Sequence, residues 1–146
     1  MTRRIDYMTI APNGLNKVMA MEGYLAKEST IEQSLAELIK IRVSQINGCA
    51  FCLHMHTADA RKNGETEQRI YLLNAWKETS IYTAKEKAAL ALAEAITLIS
   101  TNGVSDELYE VVRTFFNEKE FTDLVLAISQ INVWNRISIS MANPVD

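Results

Sequence analysis

The strongest folding instruction in the chain is "TAKEKAALALAEAITLIS", which runs from Thr83 to Ser100. Thr83 and Glu86 have the spacing of a capping box, in which each side chain satisfies the other residue's backbone N–H. Ala, Leu, Lys and Glu dominate the rest of the run, and these residues lose least on becoming helical. Similar start and stop signals recur along the chain. Leu15, Val18, Met19 and Leu25 fall at helical spacing and predict a helix from about Leu15 to Lys27. "STIEQ" offers two overlapping boxes, Ser29 with Glu32 or Thr30 with Gln33. The helix they would start runs through "IEQSLAELIKIRVSQI" and stops at Asn47-Gly48, where glycine suits the left-handed C-terminal position. A third helix starts near Cys49 and ends at Asn63-Gly64, and "ETEQRIYLLNAWKE" predicts a fourth. Ser105 caps "SDELYEVVRTFF", and a long last helix spans about Lys119 to Met141. Only "YMTIA" has the alternation of a strand, and it is short. The expected fold is all-α, with about seven helices.

The chain's 146 residues suit one domain over 1–146. With 48% hydrophobic and 23% charged residues it has the composition of a folded chain rather than a disordered one. A net charge of -3 argues against a nucleic-acid partner, since phosphate binding needs a basic face. The basic residues are dispersed, so no polybasic membrane patch forms. No run approaches the length of a membrane span, and Asp6 and Tyr7 break the apolar stretch a signal peptide would need. The expected location is the cytoplasm. Cysteines in that reducing compartment more often serve metal or redox chemistry than a lasting structural bridge.

Both cysteines and both histidines lie within "NGCAFCLHMH", as Cys49, Cys52, His54 and His56. Zinc would want four tetrahedral ligands. On a helix, however, Cys49, Cys52 and His56 share a sector of about 60°, while His54 points about 160° away. The four cannot close on one ion, although three ligands with one from elsewhere, such as Glu37, would. Redox chemistry fits better. Cys49 starts the helix, where unpaired N–H groups favour a thiolate, and Cys52 lies one turn on. His56 comes a further turn after Cys52, within reach for proton transfer. The plainer alternative is a core helix in which the cysteines only pack, and His54 reads as a surface or interface residue. Glu37 sits among Leu35, Leu38, Ile39, Ile41 and Val43, so burial is expected to raise its pKa toward a proton-shuttling range, unless it is exposed and paired with Lys40. In "INVWNRI", Asn132, Asn135 and Arg136 interrupt an apolar run and read as a buried or interfacial polar network.

Glu37, Cys49 twelve residues later, then Cys52 and His56 resemble the E-x11-C-x-x-C-x-x-x-H signature of the AhpD-like alkylhydroperoxidases, in the carboxymuconolactone decarboxylase superfamily. "ELIKIRVSQINGCAFC", "MHTADARKNGE", "YLLNAWKE" and "INVWNR" extend the likeness over most of the chain. The resemblance implies an all-helical homo-oligomer, commonly a trimer or hexamer. It also implies a peroxidase site without metal, haem or other cofactor, acting on a small hydroperoxide and re-reduced by an external dithiol or thiol protein. Carried over, Cys52 resembles the peroxide-attacking cysteine, Cys49 the resolving one, and Glu37 and His56 a proton relay. Two departures stand out: Ala50 and Phe51 lie where some members carry a histidine between the cysteines, and His54 stands where close relatives often have Asp.

Helix position and family likeness disagree about the nucleophile. Position alone favours Cys49, whereas proximity to His56 along the helix favours Cys52, as does the resemblance. Cys52 is the expected nucleophile. Two other functions fit the same residues. One is a cofactor-free lyase or decarboxylase-like enzyme using Glu37 and His56 as acid and base. The other is a non-enzymatic oligomer whose Cys49–Cys52 disulfide signals redox state.

Overall fold

Helix α3 (Gln33–Asn47) is apolar on both sides, and the rest of the chain is arranged around it. A computed structural model describes residues 2–145. Before α3 come the single turn α1 (Tyr7–Ile10) and α2 (Pro12–Lys27). After it come α4 (Ala50–Lys62), α5 (Glu67–Tyr71), a 3₁₀ helix (Leu73–Glu78), α6 (Ala84–Thr97), α7 (Asp106–Arg113) and α8 (Glu118–Met141). No strand occurs among the described residues, so the fold is all-α as expected.

Leu35, Ile39 and Val43 pack one face of α3 against α6, α7 and α8, and the small side chains of Ala88, Ala89 and Ala93 on α6 let the helices approach closely. Leu38 and Ile41 face the other way, onto Ala60, Ile70, Leu73 and Trp76. These two apolar layers hold α3 and α4 side by side, so that polar side chains of one can meet those of the other. No helix among the described residues is long and apolar enough to cross a membrane.

Three local expectations change. "YMTIA" forms a helical turn instead of a strand, with Tyr7 buried and its hydroxyl accepting from Asn143 Nδ2 at 2.8 Å. Neither box in "STIEQ" forms: α3 starts after Glu32 without a side-chain cap. Thr30 instead gives both its N–H (2.8 Å) and its hydroxyl (2.9 Å) to Asp123 of α8. Asp123 is fully buried and also receives Tyr24 Oη at 2.6 Å and Lys119 Nζ at 2.7 Å. Finally, "ETEQRIYLLNAWKE" divides into α5 and the 3₁₀ helix. The Tyr82 hydroxyl bonds to the Arg69 carbonyl, which a continuing α-helix would offer to the Leu73 N–H. Trp76 is anchored beyond the break by its indole N–H on Glu94, 2.8 Å away. The expected box at Thr83 and Glu86 does form, as does a second at Asn117 and Glu120, which begins α8.

Candidate redox-active dithiol site

Gly48 adopts φ 69°, a left-handed conformation that costs glycine little, and so ends α3 within one residue. Cys49 comes next in extended backbone as the N-cap of α4, and its Sγ accepts the Cys52 N–H at 3.3 Å. Sulfur thus occupies the place usually taken by Ser or Asp. Cys49 and Cys52 are joined by a disulfide, with Cα atoms 5.3 Å apart, and each is 1% exposed.

The α3–α4 joint is clamped from α8. Asn47 Nδ2 donates to Asn132 Oδ1 and Asn135 Oδ1, both at 2.9 Å. Asn135, fully buried, donates in turn to Ser44 Oγ at 3.0 Å, and Asn132 donates to Thr97 Oγ1 at 3.1 Å. Arg136 reaches Asn132 Oδ1 at 2.9 Å. The polar residues that interrupt "INVWNRI" therefore form the expected network, and it holds the residue two places before Cys49.

Glu37 faces α4 from α3. Its Oε2 lies 3.0 Å from His56 Nδ1, and its Oε1 accepts Lys40 Nζ at 3.2 Å. Glu37 and His56 are both buried, so the expected burial and the alternative pairing with Lys40 hold together. The direction of the expected pKa shift does not hold. Burial by itself pushes the Glu37 carboxyl up, but the His56 hydrogen bond and the Lys40 ammonium outweigh it and hold the pKa below the usual glutamate value. Glu37 is accordingly a fixed negative charge at neutral pH. Against an ionised carboxylate, His56 carries its proton on Nδ1, which leaves Nε2 for a different partner.

A carboxylate oxygen of the exposed Asp59 completes a group with Glu37 and His56, all three ligand-type atoms lying within 4.8 Å of one another. Lys40 already places a cation on Glu37, which works against a metal ion there. Asp59 was not among the sequence candidates; its place about one helical turn after His56, on the same side of α4, was the available signal. His54 is exposed, as expected, and lines a separate depression with Arg61 and Tyr71. Cys49 lines a cavity of about 340 Å³ that Arg4 and Ile139 also border. Glu37 is approached from other sides, through depressions of about 220 Å³ and 120 Å³.

The sequence profile described as the carboxymuconolactone decarboxylase family matches residues 12–95, more than half of the chain and inclusive of Glu37, Cys49, Cys52 and His56. The chain belongs to the carboxymuconolactone decarboxylase family. Its likeness is to the AhpD-like members. The uncharacterized protein YdfG of Bacillus subtilis (strain 168) is 59% identical over 143 residues, covering 98% of this chain and 97% of its own length. An Agrobacterium tumefaciens protein of unknown function, named for the antioxidant defence protein AhpD, superposes with a TM-score of 0.95. It is 37% identical, and the match covers 99% of both chains. An uncharacterized peroxidase-related protein from Silicibacter sp. TM1040 is 28% identical with a TM-score of 0.79, over 89% of this chain and 69% of that one.

Proposed function

We propose that this family member is a thiol peroxidase of the alkylhydroperoxidase type, acting on small hydroperoxides. The observation that carries the reading is the Glu37–His56 pair, buried one helical turn from a dithiol that closes as Cys49–Cys52. His56 Nε2 takes the Cys52 proton, and Glu37 holds the resulting imidazolium in place. The Cys52 thiolate attacks one peroxide oxygen, the O–O bond breaks, and the alkoxide leaves with the proton from His56. Cys52 is then a sulfenic acid. The Cys49 sulfur attacks it, water leaves, and the disulfide forms.

Restoring the dithiol requires two electrons from an external dithiol or thiol protein. Cys49 borders a cavity, so the incoming thiolate attacks the Cys49 sulfur and Cys52 leaves as the thiolate, already placed for the next peroxide. Assembly as a homo-oligomer, a trimer or hexamer, belongs to the same reading.

The test is peroxide consumption measured across several thiol reductants. Turnover should vanish in Cys52→Ser, and peroxide should generate a trappable sulfenate on Cys52 in Cys49→Ser. An adduct on no cysteine refutes the nucleophile. An activity that survives Cys52→Ser would belong to Glu37 and His56 acting as acid and base in a lyase.

A further inference from the structure

The cavity beside Cys49 lies between the N-terminus of α4 and the C-terminus of α8, and Arg4, from the segment before α1, borders it. Cys49 is among its lining residues, and Phe51 and Ile139 supply apolar walls. Arg4 is the one charged side chain among the described residues that line it. Arg4 is tethered at two points: its N–H donates to the Met141 carbonyl at 2.9 Å and its Nη1 to the Ser140 carbonyl at 3.0 Å. The backbone is thereby fixed, and the guanidinium fork retains donors beyond the one used. Asp6, the acidic residue nearest in sequence, is paired with Arg3 instead.

The rest of the cavity adds little negative charge. The α8 carbonyls that would otherwise face it are already bonded: Ser138 and Ile139 accept from Ala142, Ser138 also from Asn143, and Ser140 and Met141 from Arg4. The opposite wall is the first turn of α4, whose N–H groups favour an anion. Apolar walls of about this volume suit a small organic molecule, and the cationic edge gives it a preferred charge.

We propose that Arg4 selects the reductant: the cavity beside Cys49 admits thiols that carry a carboxylate ahead of neutral or cationic thiols. The inference rests on the proposed dithiol chemistry, but only on its reductive half. The carboxylate docks on the guanidinium fork while the thiolate attacks Cys49 Sγ. The Cys49–Cys52 bond breaks, a mixed disulfide forms on Cys49, and Cys52 leaves as a thiolate. A second thiol then attacks the reductant's sulfur, releasing the oxidised reductant and the Cys49 thiolate.

The experiment uses full-length protein in the disulfide form and three small thiols: 3-mercaptopropionate, 2-mercaptoethanol and cysteamine. Second-order rate constants for disulfide opening are compared at equal thiolate concentration and low salt, with the mixed disulfide trapped and located by mass spectrometry. 3-Mercaptopropionate should lead by up to about fivefold, the effect of a largely exposed ion pair worth up to about 1 kcal/mol. The lead should shrink with added salt, disappear in Arg4→Gln and survive in Arg4→Lys. Equal rates for the three thiols in the wild-type protein overturn the proposal, as does a lead unchanged in Arg4→Gln. Because no peroxide is used, a failure of peroxidase turnover leaves this result standing, and a failure here leaves the peroxide half untouched.

Discussion

Glu37→Gln separates a fixed charge from a proton shuttle. The substitution preserves size and one acceptor oxygen but removes the charge that faces His56 at 3.0 Å and Lys40 at 3.2 Å. Hydrogen bonds to a charged group are worth about 1.5–3 kcal/mol each, and removing a buried carboxylate recovers several kcal/mol of its desolvation cost. The net loss of stability should therefore be small, about 1–2 kcal/mol. The chemical step should suffer more. Two unit charges about 4 Å apart at an effective dielectric of 20 interact by about 4 kcal/mol. Partial solvent screening leaves about 2–3 kcal/mol of support for the imidazolium that forms when His56 takes the Cys52 proton. At 1.36 kcal/mol per decade, cysteine oxidation should slow about 30- to 160-fold. The assay mixes pre-reduced protein with a hydroperoxide, quenches with an alkylating agent and quantifies sulfenate and disulfide by mass spectrometry. The sign of the pH dependence comes from the lowered Glu37 pKa. A depressed carboxyl acts fully above its unfolded value of about 4.3 and loses its effect as pH falls through the lower folded value. Glu37 should thus keep its charge from about pH 6 to 8 and give it up only in acid. A folded variant whose rate falls less than about threefold refutes the charge argument.

The clamp and the hub on α8 give two further tests. Asn135→Ala leaves Asn47 with one fewer acceptor and Ser44 without its donor, in a fully buried place. It should cost about 2–4 kcal/mol in urea unfolding, and a loss under about 1 kcal/mol would show the network to be dispensable. Asp123→Asn keeps the shape but faces the Thr30 N–H with a second donor or an uncharged acceptor, and should cost about 2–4 kcal/mol at pH 7. Burial alone would raise the Asp123 pKa, but Lys119, Tyr24 and Thr30 together hold it far below the usual aspartate range. Its contribution is therefore complete above an unfolded value of about 3.9 and declines as pH falls further. The wild-type advantage over Asp123→Asn should narrow in acid; an advantage that grows there would contradict the assignment.

Capping and periodicity made most of the fold legible, because these signals are local. Thr83 with Glu86 and the Gly48 stop needed no tertiary information, and both stand as read. "STIEQ" failed where a distant residue intervened: Asp123 takes both donors of Thr30 from 93 positions away, and no short window shows this. The break after Tyr71 has the same origin in the Tyr82 hydroxyl. At the site, residue identity and helical phase place Cys49, Cys52 and His56 in the first two turns of α4, where all three are buried. The burial of Glu37 was readable from its apolar neighbours, but its ionisation was not. Burial and the two partners act in opposite directions, and only the distances to His56 and Lys40 decide between them. Arg4 was out of reach for a sequence reading, since its place beside Cys49 depends on the chain's first residues meeting the end of α8.

The redox state itself should leave the fold nearly unchanged, and this bears on what the dithiol is for. The sequence separation of Cys49 and Cys52 is 3, so their bridge closes a very short loop. The chain-entropy relation then gives about 2 kcal/mol of stabilisation as an upper figure, less than for the long loops of structural disulfides. The backbone on either side is held independently, by Gly48 in its left-handed turn, by the Asn47 clamp and by the Cys52 N–H on the Cys49 sulfur. Opening the bridge leaves all three supports available. Urea unfolding with and without a non-thiol reductant should therefore give stabilities that differ by no more than about 2 kcal/mol, with superimposable far-ultraviolet circular dichroism. A redox-signalling oligomer needs the opposite, because a disulfide can alter a partner surface only if the two redox states favour different conformations. A large drop in stability or a change in helicity on reduction would refute the local picture and move the dithiol from catalysis to switching.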